Sequence, residues 1–476
     1  MKLRFVFPLL LASFVLLPMP SQAQQKSDVQ LWLTTQDRSS LFALQTHPLY
    51  FSNKSTRLSP WNGEVQVIAI DDKQKFQTID GFGFALTGGS AQLLMKMSPD
   101  ARTALLKKLF STDGDGIGVS YLRLTIGSSD MNDHVYSYDD LPEGETDVDM
   151  AKFSLGPDRS DVIPVLKEIL TINPRIKILG SPWSAPAWMK TNDNSRGGRL
   201  KPEYYGAYAK YFVKYIEGMK AEGITINTLT IQNEPLNPKN TPSMVMFAEE
   251  QDVFIKKYLG PAFKKAGITT KILLYDHNLD VPSYPLSILK DPEASEYVAG
   301  TAFHLYGGET SAMTEVHDAY PNKGLYLTEQ SVTERPNATM MNIAEPVSTV
   351  VIGSTRNWSQ NVLLWNLAAD PNAEPHTNNG GCTMCRGAVT LDGDNATLNV
   401  AYYVIAHFSK FVRPGSVRIG SNDLEQLENV AFQAPDGKIV LVVSNTGNFD
   451  RTFDVTYHGK SFTGSLAVGS VGTYVW

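Results

Sequence analysis

Residues 202–235, PEYYGAYAKYFVKYIEGMKAEGITINTLTIQNEP, hold the pattern that decides the fold. Pro202 opens a helix. Tyr208, Tyr211, Phe212, Tyr215, Ile216 and Met219 then recur at spacings of three and four, a single apolar stripe that reads as core against a sheet. Gly223 follows as a helix stop. A short strand over 227–232 comes next and runs straight into Asn233-Glu234-Pro235. Helix, stop, apolar strand and polar strand end together make one unit of an α/β repeat.

The same unit recurs on both sides. Strands are expected at 81–87, 119–126, 176–182, 227–232, 271–275, 300–306, 325–328 and 362–367, with helical sequence filling most of the gaps. Ser98 before Pro99 is a further helix start, a cap followed by the favoured first-turn proline. Runs such as Lys177-Ile178-Leu179 suit strands covered on both faces. Eight units in one stretch predict a closed (β/α)8 TIM barrel rather than an open sheet. The tail changes character. From about Phe408 it reads as short strands with turns, and Pro435-Asp436-Gly437 between two β-rich runs is a hairpin signal. With strands at 29–34 and 65–70, it predicts an attached β-sandwich built from both chain ends. The expected domains are a signal peptide at 1–23, N-terminal sandwich strands at 24–75, a catalytic barrel at 76–407 and a C-terminal sandwich at 408–476.

In this barrel class, chemistry sits where strands end. The fourth strand ends at Glu234 and the seventh at Glu329, each a carboxylate placed just after apolar strand residues, where an ionisable group needs a reason. Two carboxyls facing each other across a barrel mouth are the apparatus of glycoside hydrolysis. The other ends deliver Arg123, Asp130, Trp183, Asp276-His277-Asn278, His304, Tyr306 and Trp365-Asn366. Tryptophan offers a flat face to a sugar ring, and the polar groups offer directional hydrogen bonds to hydroxyls.

Composition narrows the partners. Hydrophobic residues at 42 % and charged residues at 19 % exclude a mostly disordered chain. A net charge of −7 without a basic run argues against binding nucleic acid through its phosphates. Lys2 and Arg4, an apolar run over 5–19 and Ser21-Gln22-Ala23 read as an export signal with a cleavage site. No later run is long enough to span a membrane, so an exported protein, periplasmic or extracellular and without stable membrane insertion, is expected. Cys382 and Cys385 are the two cysteines. Even with His376 they cannot fill a zinc shell. A local disulfide is the simplest reading, and a redox CxxC the alternative. Asn53, Asn337, Asn357 and Asn395 are N-glycosylation acceptors if the source glycosylates. Gly81-Phe82-Gly83 lacks the third glycine of a dinucleotide fingerprint. Asp113-Gly114-Asp115-Gly116 is only a fragment of a calcium loop.

Taken together, Asp80-Gly81-Phe82-Gly83, Ser181-Pro182-Trp183-Ser184-Ala185-Pro186, Asn233-Glu234-Pro235, Thr328-Glu329, Trp365-Asn366 and His407-Phe408-Ser409-Lys410-Phe411 resemble glycoside hydrolase family 30. That is the family of glucosylceramidases and microbial β-1,6-glucanases, and the resemblance runs from about Phe76 to the C-terminus. It implies a retaining double displacement with Glu234 as acid/base and Glu329 as nucleophile. It implies that Asn233 holds the 2-hydroxyl and that Arg123 sits beside the nucleophile. Asp130 and Trp183 would line the non-reducing sugar's subsite, with His304, Tyr306 and Trp365 completing the wall. It implies no cofactor and no metal. The segment Gly380-Gly381-Cys382-Thr383-Met384-Cys385-Arg386-Gly387 looks more like the β-1,6-glucanase branch. The expected substrate is therefore β-1,6-glucan or gentio-oligosaccharides, with glucosylceramide or another β-glucoside or β-xyloside as the alternative. A non-catalytic carbohydrate-binding protein is the reading from another class; turnover of an aryl β-glucoside separates the two.

Overall fold

The computed structural model describes residue 1 and residues 27–53, 66–335 and 338–476. The export-signal reading over 2–23 and the acceptor site at Asn337 lie outside the described residues. Eight parallel strands close into a barrel: β1 (Gly81–Leu86), β2 (Tyr121–Thr125), β3 (Lys177–Ser181), β4 (Thr228–Thr230), β5 (Lys271–Asn278), β6 (Val298–His304), β7 (Gly324–Glu329) and β8 (Ser359–Leu364). β8 returns to pair with β1, so no edge is left open. Tyr121, Leu179, Leu273, Ala302, Tyr326 and Leu363 meet as one buried cluster. The larger core lies between strands and surrounding helices.

The deciding stretch folds as helix and strand. A short turn at Pro202–Tyr204 leads into a helix over Tyr205–Ala221, and all six residues of its apolar stripe are buried. Gly223 takes φ 83°, the left-handed conformation expected after a helix end. β4 is shorter than expected, because the chain leaves the ladder at Ile231 to turn Glu234 into the mouth. β8 begins three residues before the expected 362–367 and ends at Leu364. Its polar start, Ser359 and Asn361, is buried inside the protein and masks the strand in an apolar reading. Gly83 is needed for close strand approach, since a Cβ there would lie 1.9 Å from the Tyr121 carbonyl oxygen.

The second layer system draws on both chain ends. Gln66–Thr78 pairs antiparallel with Val417–Ser421 and parallel with Arg451–Tyr457. Gln30–Thr34 pairs antiparallel with Val471–Val475. The hairpin through Pro435-Asp436-Gly437 joins Glu428–Gln433 to Ile439–Ser444, with Gly437 at φ 88°. Ile68, Leu441, Phe453 and Tyr474 belong to this sandwich's own core. The helix Val400–Ser409, buried along its whole length, ties it to the barrel. No helix among the described residues is long and apolar enough to cross a membrane.

Candidate active site

Glu329 is the last residue of β7. Glu234 lies four residues beyond β4, in a left-handed conformation at φ 45° that costs a non-glycine residue energy. The turn is held from several sides. Asn233 N–H donates to the Pro182 carbonyl (2.8 Å), Glu234 N–H to the Asp276 carbonyl (3.0 Å), and Asn237 N–H back to the Glu234 carbonyl (2.9 Å). The result brings an oxygen of Glu234, an oxygen of Glu329 and a ring nitrogen of His304 within 4.8 Å of one another.

Each carboxylate has its own partners. Glu329 Oε2 accepts from Arg123 Nη1 (2.5 Å) and Oε1 from the Tyr306 hydroxyl (3.0 Å). Glu234 Oε2 accepts from Asn237 Nδ2 (2.7 Å) and Asn240 Nδ2 (3.3 Å), and Oε1 lies 3.3 Å from His304 Nδ1. Beneath them Asp276 is fully buried. One of its oxygens takes Arg123 Nη2 (2.8 Å) and the hydroxyls of Ser181 and Thr230 (2.7 Å each). The other takes the Thr328 hydroxyl (2.6 Å) and lies 3.2 Å from His304 Nε2. Arg123 Nη2 also donates to Asn233 Oδ1 (2.7 Å), which leaves the Asn233 amide N–H groups for a ligand.

Charge follows from this layout. Burial works against a cation at His304, but the Glu329 charge and the bonds to Asp276 and Glu234 outweigh it and lift the imidazole to about 9. Burial would raise Glu234, yet the His304 cation holds it down to about 2. Burial raises Glu329, opposed by His304 and Arg123. Asp276 stays well below the usual carboxylate range: burial is overcome by Arg123 and His304. Burial, then the charges of Glu329 and Glu234, push Asp130 up to about 8. A carboxylate at Glu234 with an imidazolium at His304 is one proton transfer from a carboxylic acid beside a neutral imidazole. The pair holds a mobile proton next to Glu329.

A cavity of about 630 Å³ opens over these groups, with Asp130, Glu234, Tyr306, Glu329, Trp365 and Cys385 in its wall. Trp183, expected on that wall, is 1 % exposed and stacks on Trp365 at 5.4 Å, so it backs the wall; the Arg123 guanidinium lies 4.7 Å from its ring centre. Arg123, Asn233 and His304 are buried alongside. Cys382 and Cys385 are joined by a disulfide, and Cys382, Met384 and Cys385 reach the same cavity. Met384 is 73 % exposed, an apolar tip on the cavity's rim. Sequence reasoning missed Asn237 and Asn240, and it named Asp276 only as part of a strand end. Asp276 lies in Tyr275-Asp276-His277, where the register with β6 shifts and Tyr275 and Asp276 take φ 71° and 65°. Such a bulge re-aims a side chain.

Residues 79–412 match the family model described as the glycosyl hydrolase family 30 TIM-barrel domain, and residues 415–474 match that family's beta sandwich domain. The chain is 37 % identical over 440 residues to the endo-1,6-beta-D-glucanase of Neurospora crassa, an alignment covering 88 % of this chain and 89 % of that protein. It is 30 % identical over 440 residues to the lysosomal acid glucosylceramidase of Mus musculus, covering 86 % and 83 %. Among solved structures, the endo-beta1,6-glucanase BT3312 is 35 % identical with a TM-score of 0.85, covering 94 % of this chain and 99 % of that one.

Proposed function

The chain belongs to glycoside hydrolase family 30, and from that premise we propose that it is a retaining β-glucan hydrolase that cuts β-1,6-glucosidic bonds. The observation that carries the mechanism is the approach of Glu234 and Glu329 to within 4.8 Å between nearest oxygens. Retaining enzymes hold their carboxyls about 5–5.5 Å apart, and inverting ones about 6.5–9.5 Å, with a water between.

The chemistry runs in two steps. Glu329 attacks the anomeric carbon while Glu234 gives the leaving oxygen the proton that it shares with His304. The C–O bond breaks and a glycosyl ester forms on Glu329. Glu234, now a carboxylate, takes a proton from water, whose oxygen attacks the same carbon and frees Glu329. Arg123 and Tyr306 hold Glu329 in line, and Arg123 also orients Asn233 toward the sugar's 2-hydroxyl. Asp130, raised to about 8, is a carboxylic acid at neutral pH and can donate to a sugar hydroxyl.

The β-1,6 linkage rests on the activity of the glucanases with which the chain aligns over most of its length. Met384 favours a second reading, a glucoside with an apolar leaving group, because its exposed thioether borders the cavity. Product analysis on pustulan, gentiobiose, laminarin, xylan and glucosylceramide side by side decides between them. Gentio-oligosaccharides released from pustulan as the β-anomer are expected; higher kcat/KM on glucosylceramide would overturn the linkage. We also propose export, on the strength of Lys2, Arg4 and the apolar run that follows. N-terminal sequencing of the secreted protein should begin near Gln24, and an intact Met1 there would refute it.

A further inference from the structure

A second cavity, of about 560 Å³, lies between the loops that follow β6 and β7. It is not separate from the catalytic one: Ser331 and Thr333 line both. The join is one residue from the chemistry. The Tyr306 hydroxyl that donates to Glu329 Oε1 also lies 3.2 Å from Ser331 Oγ. The second cavity's volume falls within the range of about 300–1,000 Å³ in which proteins bind small organic ligands.

Its lining mixes hydrogen-bonding groups with the apolar Leu305, Val332, Pro346 and Val350, and its charges are of one sign. Thr310 and Thr333 supply hydroxyls, Asn342 an amide, and Glu309 and Glu345 carboxylates, while the Thr349 hydroxyl donates to the Glu345 carbonyl (2.9 Å) and can only accept. Asn342 Nδ2 donates to Glu345 Oε2 at 2.9 Å, so that acceptor is pre-set. No lysine, arginine or histidine lines it among the described residues. Hydroxyls and carboxylates with no cation suit the hydroxyls of an uncharged sugar, and repel a uronate or a sulfated sugar.

We infer that this cavity is a subsite for further, uncharged sugar units of the same chain whose bond is cut at Glu329, reached over Ser331 and Thr333. The inference rests on the β-glucan reading and deepens it, because it extends the cleft beyond the two sugar units joined by the cleaved bond. Remote binding of this kind raises kcat/KM for long substrates over short ones.

The test uses the full chain and gentio-oligosaccharides of two and four units. Wild-type kcat/KM should be higher for the tetramer by about tenfold or more. Thr349→Trp and Asn342→Trp, each filling the second cavity from a different wall, should pull that ratio toward one, with thermal unfolding recorded for both. A wild-type ratio near one, or a ratio unchanged in folded variants, would overturn the subsite. Should the gentio series resist cleavage, the linkage reading fails by itself. The same ratio is then measured on the β-glucan oligomers that the enzyme does cut, and the same two outcomes decide for or against the subsite.

Discussion

At His304, three carboxylates compete for one imidazole. Because its pKa is raised above the ordinary 6.5 to about 9, the ring stays charged through neutral pH and loses its proton as pH rises through about 9. The stability that its ion pairs supply follows the same window, full below about 6.5 and lost through about 9. The acid step loses its proton there too, so kcat/KM on gentiobiose, whose sugar leaving group needs that proton, should fall on the alkaline side near pH 9. His304→Asn removes the cation that depresses Glu234, and the alkaline limb should move acidward by about one pH unit or more. A limb that stays in place would show that the proton resides elsewhere. For the neighbouring Glu329, Glu329→Ala should abolish turnover, and azide should restore part of it with inverted product, since a small anion can enter from the vacated face. Undiminished hydrolysis would strip Glu329 of the nucleophile's role.

Elements explain what is readable. The barrel strands are legible because apolar runs, caps and stops repeat in register, and their ends can be ranked by what they deliver. Asn237 and Asn240 are not legible: in the sequence they are ordinary loop asparagines, and only the left-handed turn at Glu234 brings them onto its carboxylate. Asp276 is visible at a strand end, but its inward aim depends on a bulge that no residue pattern announces. Trp183 reads as wall in the sequence because stacking order between two tryptophans is a tertiary fact. The loop after β8 is the element with its own test. Asn366 Nδ2 donates to the Cys385 carbonyl (3.2 Å), and Cys382 and Cys385 border the cavity. Their bridge closes a tiny ring, contributing at most ~2 kcal/mol by chain entropy. Cys382→Ser with Cys385→Ser should therefore leave a folded protein whose kcat/KM drops more for gentio-oligosaccharides than for an aryl glucoside. An equal drop for both would make the bridge a general scaffold and not a shaper of the cleft.

For the whole molecule, the joint between barrel and sandwich turns on His407. Thr473 donates its hydroxyl to the His407 carbonyl (2.9 Å), so its oxygen accepts from His407 Nδ1 (2.8 Å). His407 Nε2 lies 2.8 Å from Thr34 Oγ1, which also accepts from Phe42 N–H (3.0 Å). Burial depresses the ring to about 3 and so keeps it neutral; with the proton on Nδ1, Nε2 accepts from the Thr34 hydroxyl. Below pH 6.5 the unfolded chain takes up a proton that the folded one refuses, so stability falls from there toward about pH 3. His407→Gln can still donate and accept, and its melting temperature should fall less steeply than the wild type's between pH 6.5 and 4; parallel curves would place the acid sensitivity elsewhere. The two threonines that His407 joins sit on the strands that pair first with last, Gln30–Thr34 with Val471–Val475. A ribosome adding about 5–20 residues per second emits those strands roughly 20–90 s apart. Until Val471–Val475 emerges, one side of Gln30–Thr34 can pair with the nearby Ala43–Leu44, while its other side waits without its native partner.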